Sequence, residues 1–138
     1  MATVFTKIIR GELPGRFVWK DDRVVAFLTI QPIHAGHVLV VPRQEVSHWI
    51  DLEPALWSHV MDVARSIGRA LQHGFASKRV GVIVAGFEVP HVHVHVLPTD
   101  SMADLDFSRA RSATAEELDE AADRVRASLG ALGVTSGA

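Results

Sequence analysis

Residues 91–98 read His-Val-His-Val-His-Val-Leu-Pro, and no other stretch of the chain carries so many reactive side chains at so regular a spacing. A period of two with Val between predicts a β-strand with two unlike faces. Val92, Val94 and Val96 then point into a core, and His91, His93 and His95 point the other way in a row. Same-face neighbours on a strand lie roughly 6.5–7 Å apart, so the row can follow an extended ligand such as a polyphosphate. Two other readings fit the pattern. A solvent-facing polar stripe alternates in the same way. A His-x-His pair can also hold zinc, but His91 and His95 are too widely spaced for all three to share one ion, so a further ligand has to come from elsewhere. A neutral imidazole is also a competent nucleophile toward phosphorus.

The elements that must hold this row follow from periodicity and punctuation. Residues 4–10 place Phe5, Ile8 and Ile9 at helical spacing, with Gly11 as the stop. Phe17 to Lys20 reads as a strand, Asp21-Asp22 as a hairpin turn and Val24 to Thr29 as the returning strand. After a loop from Gln31 to Gly36, His37 to Val41 is an apolar strand ended by Pro42, which makes an antiparallel meander. Apolar residues recur at helical spacing after Pro54, predicting an amphipathic helix to about His73, closed by Gly74. His48, His59 and His73 read as solvated surface residues.

Val80 to Ala85 is nearly all apolar, which predicts a strand buried on both faces beside the histidine strand. Gly86 to Pro90 forms the intervening loop, where glycine permits close backbone approach and N–H groups can hold phosphate oxygens. Residues 99–113 carry no strong signal. Thr114-x-x-Glu117 is a capping box opening a helix from about 115 to 130, and the tail after Gly133 is expected to fray.

These elements make an α+β domain. Its 138 residues, 48% hydrophobic, suffice for one compact core. A net charge of −2, from 14 basic and 16 acidic residues, gives no electrostatic case for a nucleic-acid or membrane partner. No apolar run approaches a membrane span, and the N-terminus lacks a signal-peptide core, so a cytoplasmic location is expected. The absence of cysteine excludes disulfides and thiolate zinc sites and suits a reducing cytosol.

With φ for an apolar residue, His-φ-His-φ-His-φ-φ over His91 to Leu97 resembles the signature of the histidine triad (HIT) family. Gly86-Phe87-Glu88-Val89-Pro90 is similar to the Gly-Gln-Glu-Val-Pro that precedes the triad in many members, and Gly36 to Pro42 matches a second landmark, Gly-His-φ-Leu-Val-φ-Pro. The resemblance spans roughly residues 3–98. It implies a HIT-like fold with an antiparallel sheet of about five strands, a central helix and a C-terminal helix, usually as a homodimer. Residues 1–113 form the HIT domain, and 114–138 form a helix and tail packed on it.

The resemblance also implies chemistry. His93 attacks the α-phosphorus of a nucleotide, and water hydrolyses the nucleotidyl-imidazole. His91, with His37, orients and polarises the site, and His95 contacts the phosphate and assists the leaving group. Phe5 and Ile8 flank the base, Phe27, Thr29 and Ile30 flank the ribose, and Gly86, Phe87, Glu88 and Val89 line the phosphate. No cofactor and no catalytic metal are implied. Thr3 and Thr6 stand where some members carry a Cys-x-x-Cys zinc element, so no structural zinc is expected.

Branches of the family cleave nucleoside phosphoramidates, cleave dinucleoside polyphosphates or transfer nucleotidyl groups, and a purine nucleoside phosphoramidase-like hydrolase is the preferred expectation. The alternatives are a dinucleoside polyphosphate hydrolase and a nucleotide-binding protein with little turnover. The chain departs from the common pattern at Thr29, where Asp or Asn is usual, and at Phe87, where Gln is frequent.

Overall fold

The first helix opens on a side-chain cap. In a computed structural model describing residues 2–138, the Thr3 hydroxyl oxygen accepts the Thr6 N–H, and α1 runs over Val4–Ile9. Gly11 leaves the helix at φ 81°, a left-handed conformation that glycine adopts without steric cost. Met1, the first residue of the expected HIT domain, lies outside the described residues.

Strands β1 (Phe17–Lys20) and β2 (Val24–Leu28) pair antiparallel. Asp21 builds the turn between them, its Oδ1 accepting the N–H groups of Arg23 and Val24 at 2.8 Å. β3 (Val38–Pro42) follows antiparallel to β2. Then come α2 (Pro54–Gly74), β4 (Arg79–Ile83), β5 (Val94–Thr99) and α3 (Ala115–Ala131). Thr114 and Glu117 complete the expected capping box of α3. The result is a five-stranded antiparallel sheet in the order β1-β2-β3-β5-β4, with helices packed on it.

Strand alternation sorts the apolar side chains into two clusters. Val24, Ala26, Val38, Val40, Val94 and Val96 pack with Val60, Val63, Ile67 and Leu71 of α2 and with Leu118, Val125 and Leu129 of α3. Each fully buried Val or Leu contributes about 1.5–3 kcal/mol, so this face anchors the fold. Val25, Phe27, Leu39 and Val41 point to the opposite face, where Phe5 of α1 covers them. The register pairs Leu39 with His95, which places His95 on this second face.

Four sequence expectations need correction. The histidine strand begins only at Val94, because the paired part of β3 ends opposite it at Val40. Residues 91–93 approach as irregular chain, held where the Val92 N–H donates to Val46 O at 2.8 Å. β4 is not buried on both faces. As an edge strand it has one neighbour, and Val82 is 46% exposed. The tail does not fray: the Lys20 N–H on the outer edge of β1 donates to Ser136 O at 2.7 Å, and Val134 packs on the main core. His59 is half-buried and meets Asp21 Oδ2 at 2.6 Å, whereas His73 is exposed as expected, with its Nδ1 3.2 Å from the Ser128 hydroxyl.

Candidate active site

The histidines come together where the irregular approach meets β5. His93 and His95 have ring centroids 5.0 Å apart. His37, just before β3, lies across the strand pair from His95 with centroids 5.1 Å apart. Phe5 packs edge-on beneath the row, 4.9 Å from His93 and 5.9 Å from His91. α1 thus supports the imidazoles from below.

The hydrogen-bond partners fix each tautomer. His91 Nε2 lies 2.7 Å from Pro42 O, and a carbonyl only accepts, so Nε2 carries the proton. Its Nδ1 then accepts from the Thr3 hydroxyl at 2.9 Å. His93 Nδ1 lies 2.7 Å from His91 O and must donate, which leaves a lone pair on Nε2. The Ile33 N–H donates to His37 Nδ1 at 3.1 Å, so His37 carries its proton on Nε2 and donates it to His95 Nδ1 at 2.9 Å. His95 in turn carries its proton on Nε2. The site therefore holds one imidazole ready to attack beside one ready to donate.

Burial keeps the group neutral. It pushes the pKa of His37 down to about 4. His95 falls to about 3 through burial, reinforced by repulsion from His37 and His93. His91 and His93 are also lowered by burial, which outweighs their bonds to the Pro42 and His91 carbonyls and the nearby Glu45 and Glu88 charges. A neutral His93 retains the lone pair that nucleophilic attack requires.

Two cavities open on the row. One, of about 180 Å³, is lined by Ala85, Gly86, Phe87, Glu88, His93, His95 and Phe107. The other, of about 160 Å³, is lined by Thr29, Gln31, His37, Glu88, His95, Phe107 and Ala110. Glu88, His95 and Phe107 border both, so the two adjoin as halves of one cleft. A larger cavity of about 370 Å³ lies between α2 and the β4 edge, lined by Met61, Arg65, Val80 and Val82 among others, with no nucleophile facing it.

The HIT-domain family model matches residues 10–102, which contain the triad, its loop and His37. The chain belongs to the HIT family. It is 33% identical over 120 residues to a HIT-like protein of Borreliella burgdorferi, covering 82% of this chain and 86% of that one. Its fold is similar to a Hit-like protein involved in cell-cycle regulation from Bartonella henselae, with TM-score 0.82, 27% identity and coverage of 91% and 95% of the two chains. It is equally similar to a zinc-bound histidine triad family protein from Mycobacterium smegmatis, with TM-score 0.82, 27% identity and 96% of each chain covered.

Thr3 and Thr6 offer neutral hydroxyls, and among the described residues no group of three or more His, Cys, Asp or Glu side chains could hold a metal.

Against the HIT pattern, the candidate residues divide. His93, His95, Gly86, Phe87 and Glu88 line one cavity, and Thr29, His37, His95 and Glu88 the other. Phe5 and Phe27 are buried in one apolar cluster, with Ile8 and Val89 packed against it, behind the imidazoles rather than lining either cavity. Ile30 is 66% exposed, and its carbonyl accepts the Ala113 N–H. His37 partners His95, not His91, because the pairing of Leu39 with His95 draws the start of β3 toward that ring.

Sequence reasoning missed Phe107, which sits edge-on to His95 at 4.8 Å and borders both cavities. It also missed Glu45, which holds Thr3 and Thr6, and Gln31 in the second cavity. An aromatic residue inside the polar 99–113 segment was the only available signal for Phe107.

Proposed function

We propose that the protein is a nucleotide hydrolase that works through a nucleotidyl-histidine intermediate, with a purine nucleoside 5′-phosphoramidate as preferred substrate. The observation that carries this reading is the bond from His93 Nδ1–H to His91 O, which leaves the Nε2 lone pair for attack. That lone pair forms a bond to the α-phosphorus while the bond to the leaving group breaks, and its electron pair departs with the leaving group. The leaving group needs a proton, which the imidazolium form of His95 supplies from Nε2; that form holds its second proton on Nδ1, so His37 Nε2 turns from donor to acceptor as its own proton moves to Nδ1. A bound phosphate anion favours that imidazolium by its charge. Water then attacks phosphorus, gives its proton back to His95 and releases the nucleoside monophosphate and His93.

Thr29 borders the cleft as the candidate ribose contact, although a hydroxyl bridges two ribose hydroxyls less well than a carboxylate. Gly86, at φ 92°, gives the loop a turn that brings its backbone close to the phosphate. Phe5 packs against His93, with Ile8 and Phe27 in the same apolar cluster, so they back the imidazoles and reach neither half of the cleft.

We assign the exposed β4 edge to a second copy of this chain. Val82 and Val80 form an apolar groove with Met61 and Ala64 of α2, and an unpaired edge strand offers hydrogen-bonding groups to a symmetric partner.

The test of function is initial rates with adenosine 5′-phosphoramidate and with a diadenosine polyphosphate, both in the presence of chelator. Faster release of AMP from the phosphoramidate supports the preferred branch. Preference for the polyphosphate selects the other hydrolase branch. Binding of AMP without turnover of either refutes an enzyme and leaves a binding protein.

A further inference from the structure

We infer that Thr3 is a positioning residue for the nucleophile, acting through His91; this rests on the reading of His93 as the attacking group. Thr3 Oγ1 accepts the Thr6 N–H at 3.2 Å, which leaves its hydroxyl proton to donate. Two acceptors are within reach: His91 Nδ1 at 2.9 Å and Thr6 Oγ1 at 3.4 Å. The 2.9 Å contact is the shorter, and Thr6, itself 3.4 Å from His91 Nδ1, does not supply that proton because its hydroxyl donates to Glu45 Oε1 at 2.7 Å. Glu45 also accepts the Thr3 N–H at 2.8 Å, so one carboxylate ties down the start of α1.

The consequence passes along the chain of bonds. His91 is 0% exposed and has no access to water. With a donor at Nδ1 it must carry its proton on Nε2, where Pro42 O accepts it. Both ring nitrogens are then held, and the ring plane is fixed. The His91 backbone carbonyl is the acceptor that holds His93 Nδ1–H. Loss of the Thr3 donor leaves the buried nitrogen only the 3.4 Å contact to the Thr6 hydroxyl, whose proton is on Glu45, and the ring can rotate or change tautomer to find a donor. Residues 91–93 lie outside the sheet, so the bonds of this ring help to anchor the His91 backbone, and losing one loosens the carbonyl that orients His93. Thr3 touches no reacting atom in this account; it decides which nitrogen of His93 faces the phosphate.

The experiment compares wild type with Thr3→Val, Thr3→Ser and Thr3→Asp in the full chain. Valine removes the donor and keeps the shape, and serine keeps the donor. Aspartate preserves the helix cap but has no proton to give, so it covers the case in which valine fails to fold. Two readouts are taken: the kcat and KM for adenosine 5′-phosphoramidate, and long-range ¹H–¹⁵N spectra that report the tautomer of each histidine.

In wild type, His91 is expected protonated on Nε2 and His93 on Nδ1. Thr3→Val should lower kcat roughly 10-fold or more, with KM changed less than about twofold, and mix the tautomers of both rings. Thr3→Asp should draw the His91 proton to Nδ1, and Thr3→Ser should keep kcat within about twofold of wild type. Wild-type tautomers and kcat in Thr3→Val or Thr3→Asp overturn the inference, as does an equal loss in Thr3→Ser. Absence of turnover in wild type refutes the hydrolase reading alone, and the tautomer spectra still decide the role of Thr3.

Discussion

Replacing His37 by Gln tests whether the site is built to hold neutral imidazoles. His37 is 1% exposed, and burial lowers its pKa from 6.5 to about 4. A depressed folded-state pKa means that the unfolded chain binds the proton more tightly. The associated stability is therefore fully present above pH 6.5 and is lost as pH falls toward 4. Between pH 7.5 and 4.5 this single group should remove about 2.5 kcal/mol from the unfolding free energy, at about 1.4 kcal/mol per pH unit through the steep part.

Glutamine can accept from the Ile33 N–H and donate to His95 Nδ1, yet it does not titrate. The assay is urea unfolding at pH 7.5, 6.0, 5.0 and 4.5 for both proteins, which cancels the other titrating groups. The expected result is a stability difference that moves in favour of His37→Gln by about 2 kcal/mol between the two extremes. Parallel pH profiles would refute the reasoning, since they would mean that His37 takes up its proton in the folded state as easily as in the unfolded one.

Other perturbations follow from the same geometry. For Asp21, burial raises the pKa, but hydrogen bonds from Trp19, the Arg23 N–H, His59 and the Val24 N–H outweigh it and hold the carboxyl at about 2. Its stabilisation is thus present above pH 4 and lost as pH falls through 2, so Asp21→Asn should cost about 2 kcal/mol at pH 7 by chemical denaturation and much less at pH 2. Phe107→Ala removes the ring packed on His95, and kcat/KM should fall about 3- to 10-fold while the melting temperature changes little. Val82→Lys places a charge on the exposed β4 edge, and sedimentation equilibrium should show a shift from dimer to monomer.

Local signals in the sequence carried most of the architecture. Pro54 and Gly74 bound α2, Thr114 and Glu117 cap α3, and Asp21 turns the first hairpin. These features act over a few residues, so spacing alone exposes them. Long-range pairing was not legible. The alternation from His91 to Val96 cannot reveal that β3 stops pairing at Val40, which releases residues 91–93 from the sheet. An apolar run such as Val80 to Ile83 looks alike in a central strand and in an edge strand facing an apolar groove.

The site shows the same division. Its histidines stood out by type and spacing, whereas their partners did not. Glu45 meets Thr3 across 42 positions, and Thr3 meets His91 across 88. His37 reaches His95 across 58 positions through a register that only the folded sheet defines.

The central claim is that His93 forms a covalent bond to the nucleotide. The most direct test mixes the protein rapidly with adenosine 5′-phosphoramidate, quenches with base within the first turnovers and locates any added mass by peptide mass spectrometry. One AMP on His93 is expected, forming and decaying at rates matching turnover, with no adduct in His93→Asn, whose kcat should fall at least about 10³-fold. Turnover without an adduct at any time, or an adduct on another residue, would contradict it.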